Sequence, residues 1–261
     1  MQVTAKDLIS ALGIEQKEHI AIVGGGGKTT LMFALADELC LTGRKVITTT
    51  TTKVWYREAS RSPCMALGLS DSAWHKNIRH GLQRHGYVFI ARRVLDSGKV
   101  EGIDSTEADE FYQDPLVDDL ILEADGSAGR PLKAPDEHEP VIPSSATLVV
   151  AMMGLEVIGR RIEPKFVFRS DLFEKVTGIG PGQKLTIDGL VRLFESPEGL
   201  FKGAPSSARR IAFLNKFDLT SGRREAIHLA DELLRSSKAV VDRVVIGSII
   251  DNIYHIHKER S

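Results

Sequence analysis

Residues 18–30 decide the fold of this 261-residue chain, and they read EHIAIVGGGGKTT. The apolar run 19–23 predicts a buried strand, and leucines recurring every fourth residue from Leu31 predict a helix directly afterwards. Because glycine has no Cβ, a glycine-rich connection can curl with its N–H groups directed inward, and the helix adds the positive end of its dipole. The stretch therefore predicts a strand, a phosphate-binding loop and a helix.

The residues of this loop have separate expected roles. Lys28 is predicted to reach the β- and γ-phosphates, and the Thr29 hydroxyl is predicted to hold Mg²⁺. A full-length motif has a glycine where Ile22 stands, so this loop is a shortened form. The alternative is a glycine-rich turn that binds nothing, but a turn alone needs fewer glycines. The predicted nucleotide-binding residues are Gly24, Gly25, Gly26, Gly27, Lys28, Thr29 and Thr30.

Composition excludes several classes of protein. The formal net charge is −1, which gives no electrostatic footprint for a nucleic-acid partner. No stretch approaches the roughly 20 apolar residues of a membrane span, and the N-terminal residues are too polar for a secretory signal. Two cysteines, Cys40 and Cys64, do not suggest a disulfide framework. We expect a cytoplasmic protein without a membrane or nucleic-acid partner.

The rest of the chain alternates apolar strands with amphipathic helices, which predicts an α/β fold of the P-loop NTPase class. Its sheet should be mostly parallel with helices on both faces, in a single domain over residues 1–261. Residues 160–205 break the alternation and are expected to form a subdomain that covers the site. Strands are expected at 19–23, 45–50, 87–91, 120–123, 147–152, 210–215 and finally 244–248, and helices at 29–42, 71–85 and 223–236.

Ligands of such sheets bind beyond the carboxyl ends of the strands, so the residues at those ends are candidates. Asn215, Lys216 and Asp218 form the pattern N-K-x-D, which many GTPases use to recognise guanine. The aspartate accepts hydrogen bonds from the guanine ring nitrogen and amine, a donor pair that adenine lacks. The alternative is a polar turn in which Asp218 caps a helix.

Two other strand ends carry candidate chemistry. Glu123 and Asp125 follow an apolar strand, where a carboxylate can bind Mg²⁺ or position an attacking water. We therefore expect Lys28, Glu123 and Asp125 to be catalytic, with Thr29, Glu123 and Asp125 at the metal. The threonine run that ends at Thr52, with Lys53, could contact the γ-phosphate or Mg²⁺, although threonine is also an ordinary strand residue.

The segment 130–140 is dense in charge and proline, so it is not expected to be helical. Lys133, His138 and Glu139 are available there for substrate binding or acid–base chemistry. The residues alone slightly favour a solvated surface loop.

Together these motifs resemble those of the YqeC family, over about residues 8–250. The resemblance implies a bacterial accessory protein for molybdenum hydroxylases that carry a labile selenium cofactor, and it favours a functional loop at 133–143. Four stretches carry the resemblance: VGGGGKTT (23–30), TTTTTK (48–53), LEADG (122–126) and PLKAPDEHEPVIP (131–143). The last of them is the most specific.

The function expected is a Mg²⁺-dependent GTPase that serves the maturation of such hydroxylases, with GTP or ATP as the nucleotide. One alternative is an ATP-dependent enzyme that activates a small substrate, either Mur-ligase-like or kinase-like. The reason is that the shortened loop resembles the loop of the Mur ligases. Another is a module that holds nucleotide without hydrolysing it and docks on a client hydroxylase.

Overall fold

The computed structural model describes residues 2–68, 73–236, 238 and 240–258. Its strands are β1 (Gln2–Ala5), β2 (Glu18–Gly24), β3 (Val46–Thr50), β4 (Lys53–Trp55), β5 (Met65–Leu67), β6 (Tyr87–Ala91), β7 (Arg93–Val94), β8 (Lys99–Glu101), β9 (Asp119–Glu123), β10 (Leu132–Lys133), β11 (Leu148–Gly154), β12 (Val167–Phe168), β13 (Arg209–Asn215), β14 (Arg243–Ser248) and β15 (Ile253–His257). Its α-helices are α1 (Leu8–Leu12), α2 (Lys28–Leu41), α3 (Tyr56–Ala59), α4 (Ala73–His85), α5 (Ser105–Gln113), α6 (Ser170–Thr177), α7 (Ile187–Glu195) and α8 (Arg223–Arg235), and a 3-10 helix spans Leu155–Val157.

The main sheet has ten strands in the order β1-β15-β14-β13-β11-β2-β9-β3-β6-β5. All strand pairs from β14 to β5 are parallel, and β15 and β1 add antiparallel pairs at one edge. The strand that precedes the glycines, β2, lies between β9 and β11 in the interior of the sheet. The carboxyl ends of β13, β11, β2, β9 and β3 therefore lie side by side.

Both faces of the sheet are covered, which explains why its interior strands are apolar rather than alternating. One apolar cluster contains residues of α1 and α2, such as Leu12 and Leu35, together with alternate residues of β2. The other contains Trp74 of α4, Phe111 of α5 and Leu229 of α8. This is a phosphate-loop NTPase-like fold, with a mostly parallel sheet and helices around it.

The predicted strands and helices are all present, with bounds that differ by one or two residues. The first two residues of the helix expected at 71–85 lie outside the described part of the chain, and the described helix begins at Ala73. The expectation that 244–248 is the last strand is wrong, because β15 follows it after a short turn. This strand reverses direction and pairs with both β14 and β1.

The segment 160–205 carries α6 and α7, and α7 packs against α8. Its apolar side chains, among them Phe173 and Leu193, belong to the same cluster as Leu214 of the main sheet. A smaller antiparallel sheet, β4-β8-β7, follows β3 and stands beside the carboxyl edge of the main sheet.

Candidate nucleotide-binding site

The backbone of the glycine loop requires glycine at more than one position. Gly26 has a φ of +80°, and a Cβ there would lie 2.2 Å from the backbone nitrogen of Gly154. A Cβ on Gly24, at a φ of +91°, would lie 2.3 Å from the carbonyl oxygen of Met152. The loop therefore packs against the end of β11 at a distance that no other residue permits.

Not every amide of the loop is directed at a ligand. The Gly25 N–H donates to the Met152 carbonyl (2.9 Å), and the Gly26 N–H donates to the Arg130 carbonyl (3.1 Å). The amides of residues 27–30 stand at the start of α2, where N–H groups have no acceptor within the helix. No side chain caps this helix at Gly27. These four amides are therefore the ones available to a phosphate, and the earlier glycines anchor the loop.

Lys28 is buried, with 3% of its surface exposed, and its ammonium donates to the Gly24 carbonyl (2.6 Å). The same nitrogen lies 3.2 Å from Asp125 Oδ1 and 3.4 Å from Glu123 Oε1. Burial opposes the charged form of the lysine, but Asp125 and Glu123 outweigh burial and raise the pKa of Lys28. The ammonium is therefore held charged at the foot of the loop.

Thr29 and Glu123, the two residues that the sequence predicted for a metal site, are in contact. The Thr29 hydroxyl donates to Glu123 Oε2 at 2.7 Å. Among the described residues, no group of three or more His, Cys, Asp or Glu side chains could hold a metal alone. A hydroxyl and one carboxylate nevertheless suit Mg²⁺, which keeps several waters and takes further oxygens from substrate phosphates. The donor set therefore fits a Mg²⁺ ion bound together with a nucleotide.

Asp125 has no exposed surface and faces inward instead. Its two oxygens accept from the Gly24 N–H at 3.1 Å each, and it lies between the ammonium groups of Lys28 (3.2 Å) and Lys133 (3.1 Å). Every position at which it could bind a metal is taken by a protein donor. Asp125 thus fixes the start of the glycine loop.

A chain of alternating charges continues from Asp125 into the segment 130–140. Lys133 is fully buried and also donates to Glu139 Oε2 (2.6 Å) and to the Gly126 carbonyl (2.8 Å). Glu139 pairs in turn with Arg169 at the start of α6. Burial opposes ionisation of Glu139, but Arg169 and Lys133 hold the pKa of its carboxyl below the usual range. Lys133 is therefore not accessible to a substrate, whereas His138 is exposed.

The three residues of the N-K-x-D pattern lie in different environments. Asn215 is buried, and its Nδ2 donates to the Gly26 carbonyl (2.8 Å) while its Oδ1 accepts from the Ile249 N–H (3.3 Å). It thus ties the glycine loop to the end of β14. Lys216 has a φ of +64° and pairs with Glu156, and Asp218 is exposed. The pattern therefore stands beside the loop with its aspartate free for a ligand.

A cleft of about 650 Å³ runs over the glycine loop and reaches Lys216 of the N-K-x-D pattern. It contains Gly26–Thr30, Glu123, Lys53 and Lys216, and Glu139 reaches it from the charge chain. Thr52 lies in a neighbouring cleft of about 610 Å³ and shares a hydrogen bond with Thr50 (3.0 Å). The cleft walls also include residues that sequence reasoning missed, namely Trp55, Arg57, Lys99, Arg130, Phe168 and Arg169. Three of them carried a hint in the sequence, because Trp55 and Arg57 closely follow Lys53 and Arg130 begins the segment 130–140.

The comparisons with known proteins identify the family of this chain. The family model "YqeC protein" matches residues 20–171, which include most of β2, the glycine loop, Glu123 and the segment 130–140. A protein of Escherichia coli (strain K12) named "Uncharacterized protein YqeC" is 37% identical over 243 residues, 93% of this chain and 92% of that one. The chain belongs to the YqeC family.

Within this YqeC-family chain, the loop, the first turn of α2 and the strand-end acid form the candidate nucleotide-binding site. Among solved structures, the chain is similar to chloroplast FtsY from Physcomitrella patens, with a TM-score of 0.45 and 14% identity. That match covers 95% of this chain but 64% of FtsY, so the chain spans less than two thirds of that protein's length. In the described ranges, none of the helices has the length and apolar character that a bilayer span requires.

Proposed function

We propose that this protein is a Mg²⁺-dependent nucleoside triphosphatase with a preference for GTP, and that it serves the maturation of selenium-dependent molybdenum hydroxylases in the cytoplasm. The observation that carries the proposal is the contact between the Thr29 hydroxyl and Glu123 (2.7 Å), directly beside the buried ammonium of Lys28. A glycine-rich turn without a ligand has no need to bury a lysine against two carboxylates.

In this proposal, the amides of residues 27–30 and the Lys28 ammonium hold the β- and γ-phosphates. Lys28 exchanges its contact with the Gly24 carbonyl for a phosphate oxygen. Thr29 and Glu123 hold Mg²⁺, which would neutralise charge on the phosphates when bound. Glu123 also stands where its carboxylate can orient a water toward the terminal phosphate. Asp125 positions Gly24 and Lys28 and does not touch the metal.

The preference for GTP rests on the second strand end. Asn215 joins the glycine loop to β14, so the base would lie on the β13 side of the loop. There the exposed carboxylate of Asp218 can accept the two hydrogen bonds of a guanine ring. Adenine offers no such donor pair, and the carboxylate would then lose water without replacement.

Nucleotide binding is tested by calorimetry with Mg²⁺ present. We expect GTP to bind more tightly than ATP, and Lys28→Ala to abolish binding of both. Asp218→Asn should weaken GTP and improve xanthosine triphosphate, because the new amide complements the xanthine oxygen. Equal affinity for GTP and ATP in the parent protein would defeat the guanine assignment, and it would favour an ATP-dependent enzyme.

The accessory role is supported by the family and by the resemblance of the segment 131–143, and it is tested in cells. In a bacterium that makes a selenium-dependent molybdenum hydroxylase, deletion of the gene should lower hydroxylase activity. The wild-type gene should restore it and Lys28→Ala should not. Phosphate release by the purified protein distinguishes a GTPase from a module that only holds nucleotide. Full hydroxylase activity in the deletion strain would refute the role.

A further inference from the structure

We propose that the cleft holds a second subsite, for a small organic anion, on a wall formed by Lys53, Arg57 and Lys99, which we name the cation wall. This proposal rests on one part of the proposed function, the binding of the nucleotide in the cleft. It adds a second ligand class, a molecule that carries a phosphate or carboxylate group and binds next to the terminal phosphate.

The charge of the cleft is the first argument. Seven Lys or Arg side chains and three Glu side chains reach it, although the formal net charge of the whole chain is −1. A cleft with an excess of one sign of charge concentrates ligands of the opposite sign. The cleft therefore carries more positive charge than the single Lys28 ammonium that the triphosphate uses.

The cations of the cleft differ in whether a carboxylate neutralises them. Lys28 pairs with Glu123 and Asp125, Arg169 with Glu139, and Lys216 with Glu156.

The three members of the cation wall have no ion pair within the described part of the chain, and Lys53 and Arg57 are exposed. Across the small sheet, Lys53 stands opposite Glu101, but Arg93 holds that carboxylate at 2.6 Å. The positive charge that the wall presents to the cleft is therefore largely uncompensated.

The sheet order separates this wall from the base of the nucleotide. From the N-K-x-D pattern to the wall, the strands run β13, β11, β2, β9 and β3. With about 4.8 Å between neighbouring strands, the end of β3 lies about 10 Å from β2, on the side away from β13. A nucleotide whose base lies at β13 directs its terminal phosphate toward β9. The wall then faces the space beyond that phosphate, which the nucleotide leaves open.

Trp55 argues that the ligand is organic. It lies on β4 opposite Lys99 of β8, it lines the cleft, and 43% of its surface is exposed. The Lys99 ammonium lies 5.0 Å from the ring centroid and the Arg57 guanidinium 5.9 Å. The ring thus steadies both cations and offers an apolar surface to the carbon part of a ligand. A site for inorganic phosphate alone needs no such surface.

The experiment uses the full chain labelled with 5-fluorotryptophan, followed by ¹⁹F NMR. The chain has two tryptophans, and Trp74 is buried, so the exposed Trp55 reports on the wall. The protein is saturated with Mg²⁺ and a non-hydrolysable GTP analogue, and it is then titrated with glycerol 3-phosphate in one arm and succinate in the other. The two arms distinguish a phosphate group from a carboxylate as the recognised anion.

We expect a saturable shift of the Trp55 resonance with at least one probe, and no shift of Trp74. Arg57→Ala/Lys99→Ala should raise the Kd at least tenfold. The matched control Arg79→Ala/Lys165→Ala removes two exposed cations outside the cleft and should leave the Kd unchanged. Melting curves of both double variants verify folding, and the charge-neutral Lys99→Gln provides a second test.

Three results would overturn the subsite. They are no saturable shift with either probe, an equal Kd in the wall variant, or a shift that the bound GTP analogue abolishes. Failure of the proposed function is distinguishable. If no nucleotide binds, the same titration of nucleotide-free Lys28→Ala protein still tests the wall, because that variant lacks the phosphate contact at the loop and keeps the wall intact.

Discussion

The substitution Lys133→Met tests whether the charge chain behind the glycine loop supports the fold. Methionine retains most of the length and apolar stem of lysine but removes the ammonium. Asp125 then keeps Lys28 alone, and Glu139 keeps Arg169. Because Lys133 and Asp125 both have no exposed surface, water cannot replace the lost partner. Removal of one partner from a buried ion pair costs about 3–5 kcal/mol.

This cost converts to a change in melting temperature. With an unfolding entropy of about 2.1 cal/mol/K per residue, the 261-residue chain has about 0.55 kcal/mol/K. The melting temperature of Lys133→Met should therefore fall by about 5–9 °C, measured by circular dichroism without nucleotide. The double variant Lys133→Met/Asp125→Asn also removes the buried carboxylate that lost one of its two ammonium partners, so it should regain part of the loss.

The matched control is Lys165→Met, which makes the same substitution in an exposed pair. Lys165 lies 2.7 Å from Glu163, and 67% of its side chain is exposed. Exposed pairs contribute about 0–1 kcal/mol, so its melting temperature should fall by less than about 2 °C. Equal shifts for Lys133→Met and Lys165→Met would refute the reasoning, because burial would then not set the cost.

Three further predictions concern other parts of the molecule. Gly26→Ala should lower both stability and GTP affinity, because its Cβ would meet the Gly154 nitrogen. The control Gly129→Ala has a similar φ of +72° but lies in open space, so urea unfolding should show only backbone strain of about 1–3 kcal/mol. Equal losses of stability in the two variants would contradict this prediction. Asn215→Ala should weaken GTP and ATP about equally, by roughly 10–100-fold in calorimetry, because it leaves the Gly26 carbonyl unpaired; a loss confined to GTP would show that Asn215 reads the base instead. Burial lowers the pKa of His19 to about 4, below its unfolded value of about 6.5, so stability should fall by about 1.4 kcal/mol per pH unit as the pH drops from 6.5 to 4. In urea unfolding, the stability of His19→Gln should depend less on pH. Parallel curves of stability against pH for both proteins would rule this out.

Local patterns were sufficient for the parts of this protein that depend on neighbours in the chain. Residues 18–30 predicted the strand, the loop and the helix because apolar periodicity and glycine content act within a few residues. The acid at the end of β9 and the polar pattern at the end of β13 were also predicted, because the carboxyl ends of parallel strands meet at one edge. The sequence therefore assigned Thr29 and Glu123 to one predicted metal site, and the structure brings these residues, 94 positions apart, into contact.

Other features depend on contacts that no local pattern encodes. Asp125 was expected at the metal and Lys133 at a substrate, yet the fold buries them against each other, and Asp125 accepts a hydrogen bond from the Gly24 N–H. Burial is a property of what packs over a residue, and the covering groups come from distant segments such as the start of α6. Lys99 likewise reaches the cleft only because β8 pairs with β4. The sequence by itself determined that a phosphate loop forms, and tertiary packing decided which charges remain free to meet a ligand.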